Sequence, residues 1–135
     1  MINKYVGGYY GSELNKFIDE NCSHEMTAMN IDLIMYKAYK KHIRIIESKH
    51  SNETMKTGQY KLLRLLANSI RPIGYKFEVL IIYGNPPYDF VKIVNLCNNM
   101  ETEVNKIQLI NYLNFENIEL DWKIINNWSI NNDNR

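Results

Sequence analysis

Three residues in the chain have the types and spacing for metal-assisted hydrolysis: Asp32, Glu47 and Lys49. They lie in "NIDLIMY" (30–36) and "HIRIIESK" (42–49), two stretches rich in strand-forming residues and joined by a short basic turn. If the two pair as an antiparallel hairpin with its turn centred near residues 39–40, Asp32 falls directly opposite Glu47, their Cβ atoms roughly 4.5–5.5 Å apart. Lys49 is two residues beyond Glu47, so the period of two puts it on the same face. Like charges directly opposite each other destabilise a sheet. A divalent cation removes that conflict, taking one oxygen from each carboxylate and waters in its other positions. A neighbouring amine can orient or help deprotonate the attacking water and offset phosphate charge. The three side chains together predict metal-assisted phosphodiester hydrolysis. The same residues have a structural reading, in which Asp32 caps a strand edge and Glu47 and Lys49 form a surface ion pair. A bulge or a one-residue slip in the hairpin decides between them.

The elements that must position these residues follow from periodicity. Residues 11–22 read as a helix that Ser12 can cap, with Leu14, Phe17 and Ile18 on one face. Residues 26–39 and 42–49 read as the strands of the hairpin. A loop leads into an amphipathic helix over 59–70, apolar at Leu62, Leu63, Leu65, Leu66 and Ile70, which "RPIG" breaks. "YKFEVLIIYG" (75–84) is the most hydrophobic strand and is predicted to be central, and "NPP" stops it. Residues 88–97 read as another strand. Residues 101–114 read as a helix with Val104, Ile107, Leu109, Ile110 and Leu113 inside, and the tail "NNWSINNDNR" reads as frayed. The order α-β-β-α-β-(β)-α predicts an α/β or α+β domain with a small mixed sheet flanked by helices. At 135 residues the chain fits one domain able to bury a real core, with no repeat and no interdomain linker.

Bulk properties narrow the class. No apolar run reaches membrane-spanning length, and "MINKYVGGYYGSEL" lacks a basic segment followed by an apolar one, so a soluble cytoplasmic protein is expected. Cys22 and Cys97 are far apart and read as buried thiols in a reducing compartment. The net charge of +1 says nothing about nucleic acid. Lys37, Lys40, Lys41, His42 and Arg44 crowd together, either as a nucleic-acid-binding patch or as solubilising residues of a hairpin turn. The richness in Asn, Ile, Lys and Tyr is the bias of AT-rich coding DNA, as in an AT-rich host or its virus or phage.

The arrangement of "NID" (30–32) and "IIESK" (45–49) resembles the PD-(D/E)XK nuclease superfamily, which includes restriction endonucleases, Holliday-junction resolvases and small viral or phage nucleases. Its signature is an Asp followed, one hairpin later, by Glu-x-Lys. Gln59 in "KTGQYKLLRLL" matches the Gln often found near the start of the next helix. The resemblance covers roughly residues 11–83 in αββαβ order and implies a restriction endonuclease-like core with a C-terminal extension, 84–135. Ile31 stands where the family often has Pro. By this resemblance Asp32 and Glu47 ligate Mg²⁺ or Mn²⁺, the backbone carbonyl of Ser48 adds a ligand, Lys49 acts on the water or the scissile phosphate, and Gln59 positions the site. Glu13 is the further acid expected from the preceding helix, with Glu20 and then Glu25 as alternatives. The implied function is a metal-dependent deoxyribonuclease that acts on DNA, as a homodimer for want of recognition surface. Rival readings are a branched-DNA resolvase, an inactive nuclease-like module that binds nucleic acid or protein, and an α/β domain with no catalytic role.

His24, His42 and His50 form no ligand pattern with the cysteines. His42 and His50 have the opposite parity to Glu47 and Lys49, and surface or DNA-backbone contacts are expected of them. Tyr9, Tyr10, Tyr36, Tyr60, Tyr75 and Tyr83 could stack on bases, although packing explains most tyrosines. Gly7 and Gly8 do not form a phosphate-cradling loop, because no Gly-Lys-Ser/Thr follows a strand.

Overall fold

The computed structural model describes residues 13–22 and 29–125. Ser12, His24, Glu25, Gly7, Gly8, Tyr9, Tyr10 and the 126–135 tail lie outside the described residues. The chain divides into two compact units, Met1–Asn30 and Ile31–Arg135. In the first, helix α1 spans Glu13–Asn21 and buries none of its residues; Leu14 and Phe17, expected on an inner face, are exposed.

The second unit is a six-stranded mixed sheet in sequence order: β1 (Leu33–Lys37), β2 (His42–Lys49), β3 (Lys76–Tyr83), β4 (Phe90–Asn95), β5 (Met100–Asn105) and β6 (Lys123–Ile124). Only β2 and β3 run parallel. A parallel pair needs a long crossover, and helix α2 (Thr57–Ser69) supplies it. β3 carries Val79, Leu80 and Ile81 at 0–1 % exposure, as expected of a central strand covered on both faces.

The pleat sorts the core into two layers. Ile46, Leu80, Ile82, Val91, Ile93 and Val104 share one face and pack against Leu109 and Tyr112 of helix α3 (Lys106–Leu113). Ile45, Val79, Ile81 and Val94 face the other way, toward α2, whose buried residues are Tyr60, Leu63 and Ala67. Truncating a residue such as Leu80 to Ala would cost about 2–5 kcal/mol.

Three expectations are corrected. The first strand is short: it starts at Leu33 and gives way to a 3₁₀ turn at Ala38–Lys40. The segment 101–114 is not one helix. Thr102 and Val104 are buried while Glu103 and Asn105 are exposed, the period-two pattern of β5. Asn105 then starts α3 with a capping box: its side chain accepts from the Gln108 N–H at 2.8 Å and the Gln108 side chain accepts from the Asn105 N–H at 2.9 Å. Ile107 and Ile110 are consequently exposed, and Tyr112 takes the inner position. The cysteines are free and half-buried rather than buried.

Four residues of the basic cluster make contacts within the fold, while Lys41 and the Lys40 side chain lie on the exposed turn. Lys37 donates to the Asn114 carbonyl at 2.9 Å and Lys40 to the Phe115 carbonyl, so both bind the C-terminal end of α3, where carbonyls lack helical partners. His42 and Arg44 are buried on the α3 face. Arg44 Nε donates to Glu78 Oε1 at 2.9 Å, Arg44 Nη1 to the Tyr112 carbonyl at 2.6 Å, and the guanidinium lies 3.9 Å from the Tyr112 ring centre and 4.2 Å from that of Phe115. His42 Nε2 is 2.7 Å from the same Glu78 oxygen, and Asn95 donates to Glu78 Oε2 at 3.1 Å. Burial alone would raise the Glu78 carboxyl, but Arg44, with His42 and Lys76, outweighs it and holds the group below the usual carboxylate range. Burial likewise pushes His42 below the usual imidazole range against the pull of Glu78.

No helix among the described residues is long and apolar enough to cross a membrane.

Candidate active site

The site is built at one end of β2. The hairpin register pairs Leu33 with Ile46 and runs without a bulge to Lys37 and His42. Asp32 and Glu47 each lie one residue outside the Leu33–Ile46 pair that ends this register, close enough for the charge of Asp32 to act on Glu47. Asp32 sits at a bend just before β1, and its Oδ2 accepts the Ser48 N–H at 2.9 Å. The carboxylate thus takes an amide that faces β1 where the strand ladder has ended. In an extended strand a residue's N–H and C=O point to the same side. The Lys49 carbonyl, one residue on, turns to β3 and accepts the Gly84 N–H at 2.9 Å. The Ser48 carbonyl therefore faces the Asp32 side.

Glu47 and Lys49 point to the α2 face. Glu47 is 5 % exposed, and its Oε1 is buried without a hydrogen-bond partner. A carboxylate left in this state is unstable in its charged form. Burial, then the charge of Asp32, push its pKa up to about 7, and Lys49 only partly opposes them. Lys49 Nζ lies 3.7 Å from Glu47 Oε2 and 3.9 Å from Glu53 Oε2, and makes a long hydrogen bond of 3.4 Å to Gln59 Oε1. Gln59 is the third residue of α2, so the first turn of the crossover helix delivers it to the end of β2. The structure brings Asp32, Glu47, Lys49 and Gln59 together, with the Ser48 backbone between them.

Glu53 is a member that the sequence reading missed. Its Oε1 accepts the His50 N–H at 2.7 Å, which ties the loop after β2 and sets the other oxygen near Lys49. The signal was the tight turn "KHSNE", which returns a carboxylate four residues after the lysine. Glu13 and Glu20 lie on α1, in the first unit. His50 points away to Asn85, its Nδ1 3.0 Å from Oδ1, and His42 is the core residue described above.

No protein-family model, no curated protein and no solved structure matches this chain.

The chemistry of the site therefore rests on its own groups. Among the described residues, no cluster of three or more His, Cys, Asp or Glu side chains is placed to hold a metal ion. The groups that could hold one are the carboxylates of Asp32 and Glu47, the latter with an orphaned buried oxygen, and the Ser48 carbonyl, which backbone alternation puts on the side of the Ser48 N–H that Asp32 accepts. Such a set suits a hard divalent cation that keeps several waters, as Mg²⁺ does. Of the tyrosines weighed for stacking, Tyr60 is buried, Tyr36 and Tyr75 sit with ring centres 6.3 Å apart, and Tyr83 is half-buried on the site's own face.

Proposed function

We propose that this chain is a metal-dependent deoxyribonuclease, with a restriction endonuclease-like core, that hydrolyses phosphodiester bonds with a metal-activated water. The observation that carries the reading is the placement of Glu47. A buried carboxyl with one unpartnered oxygen lies beside a second carboxylate at the end of the hairpin, with an ammonium 3.7 Å away. Sheet stability alone disfavours such a pair, whereas a site that binds a cation needs it.

Asp32, Glu47 and the Ser48 carbonyl are the groups proposed to hold Mg²⁺ or Mn²⁺. When bound, such a cation lowers the pKa of water and neutralises charge on a phosphodiester. Asp32 is already oriented by the Ser48 amide. Glu47 must lose its proton to act as a ligand, so binding is coupled to its titration. Lys49 faces the space between the two carboxylates and the substrate, where it holds the phosphate and orients the attacking water. Gln59 and Glu53 fix the Lys49 rotamer. Glu13 remains the proposed third acid, on the strength of the resemblance alone.

The test is cleavage of labelled linear, single-stranded and four-way-junction DNA with Mn²⁺, comparing the natural chain with Glu47→Ala. Cleavage by the natural chain that the variant loses is the expected result, and preference for the junction would mark a resolvase. A second reading, an inactive nuclease-like module that binds nucleic acid, is favoured because no three His, Cys, Asp or Glu side chains among the described residues are placed to hold a metal ion. It predicts no cleavage and no stabilisation by Mn²⁺.

A further inference from the structure

Beside Glu47 and Lys49 the sheet surface opens into a cavity of about 380 Å³. The parallel register fixes its position: Glu47 is paired with Ile81 and Lys49 with Tyr83. Paired residues on neighbouring strands share a face at about 4.8 Å. Ile81 and Val94 form the floor and Tyr60 and Tyr83 the walls, while Glu53 borders both the cavity and Lys49. At the mouth, Lys92 Nζ lies 3.9 Å from Glu101 Oε1 and 5.1 Å from the centre of the Tyr83 ring.

These features define an occupant. The charged residues lining the cavity are two carboxylates, Glu53 and Glu101, against one ammonium, Lys92, which disfavours an anion. An apolar floor, aromatic walls and a donor and acceptor at the rim suit a neutral heteroaromatic ring with polar edges. The group one strand away, Lys49, is the one that would hold a phosphate. A base stacked and paired within a duplex cannot enter a walled cavity, and only an unpaired base can swing in.

We propose that this cavity binds one unpaired nucleobase next to the scissile phosphate, so that the enzyme acts on DNA with an unpaired nucleotide, a single strand or a flap, rather than on continuous duplex. The phosphate's position rests on the nuclease reading; the cavity and its ligand class do not.

The test separates the two. Binding is measured by anisotropy of a labelled single-stranded oligonucleotide without divalent metal, against the same oligonucleotide with abasic sites and against its duplex. Cleavage of the three is then measured with Mn²⁺. The natural chain should bind and cut the intact single strand about tenfold better than the abasic strand or the duplex. Thr54→Trp, which fills the rim from an exposed position, and Lys92→Met should each lower intact-strand binding to the abasic level, with melting temperatures unchanged. Binding that ignores the missing bases, or intact binding in both variants, overturns the cavity whatever the cleavage result. Base-dependent binding without cleavage keeps the cavity and overturns the nuclease.

Discussion

Asp32 and Glu47 lie together at the open end of the β1–β2 hairpin, one residue beyond the Leu33–Ile46 pair, and Asp32 Oδ2 accepts the amide of the residue that follows Glu47. That contact fixes one carboxylate and leaves the other buried, with Oε1 unpaired and its pKa pushed up to about 7 by burial and then by Asp32. The fold therefore favours neutral Glu47. Its contribution is full below the ordinary value of 4.5 and is lost as pH rises through about 7. Glu47→Gln should make the metal-free protein more stable than the natural chain above pH 7, by about 1–3 kcal/mol, and equal to it near pH 4. Thermal melts from pH 4 to 8 check this. A variant less stable at pH 8 would mean that ionised Glu47 is well satisfied in the fold.

Metal binding should run against the same proton. Stabilisation by Mn²⁺ should be small at pH 5.5 and grow up to pH 8 as Glu47 ionises, and it should vanish in both Glu47→Gln and Asp32→Ala. Melting-temperature shifts on Mn²⁺ titration, repeated at the two pH values, read this directly. A shift of equal size at both, or one that survives in the variants, would place the cation elsewhere.

Lys49 and Gln59 should separate in degree. Lys49 faces the proposed phosphate, so Lys49→Ala should lower single-turnover cleavage by about 10²–10⁴-fold. Gln59 accepts a hydrogen bond from Lys49 at 3.4 Å, so it acts through Lys49, and Gln59→Ala should cost about 10–100-fold with the pH profile of the natural chain retained. Equal losses in the two would give Gln59 a direct contact with the substrate.

Much of this site was legible because strand periodicity is simple. "HIRIIESK" carries three isoleucines, at 43, 45 and 46, and the structure keeps all eight residues as β2, so the parity of Glu47 and Lys49 followed. The register followed from a short turn centred near residues 39–40, which Lys41 closes in the left-handed conformation at φ 52°. What the sequence concealed depends on tertiary partners. Arg44 and His42 look like surface residues until Glu78, 34 residues beyond Arg44, arrives from β3 to hydrogen-bond both. The stretch "ETEVNKIQLI" carries apolar residues at both strand and helix spacing, and the Asn105–Gln108 capping box, which divides it, was overlooked. Glu53 reaches Lys49 only because its loop folds back on the His50 amide.

The Arg44–Glu78 network should respond to acid in the opposite sense to Glu47. Glu78 is held below its ordinary 4.5 and His42 below its ordinary 6.5. Both contribute stability that is present above those values and lost as pH falls through the lowered ones. Arg44→Ala leaves Glu78 buried beside an imidazole that burial keeps neutral, at a cost of about 3–5 kcal/mol. Arg44→Met with Glu78→Gln, which removes both charges, should recover most of that loss. Urea unfolding of the single and double variants at pH 7 gives the comparison. A double variant no better than Arg44→Ala would show that the cation stacked on Tyr112 and Phe115 matters more than its pairing with Glu78.

Gly84 links the site to the sheet behind it. Its N–H binds the Lys49 carbonyl at 2.9 Å, and a Cβ added there would lie 2.5 Å from Val91 Cγ1 and 3.2 Å from Val91 Cβ. Val91 is 4 % exposed, in the core under α3, and its β-branched side chain cannot swing clear. Gly84→Ala should therefore cost about 1–3 kcal/mol by overpacking. Pairing it with Val91→Ala should relieve the clash and give a double variant more stable than the sum of the two single losses predicts. Denaturant melts of the four proteins measure that coupling. Strict additivity would mean that β3 and β4 separate freely at this point, and that Gly84 does not hold the end of β2 in place.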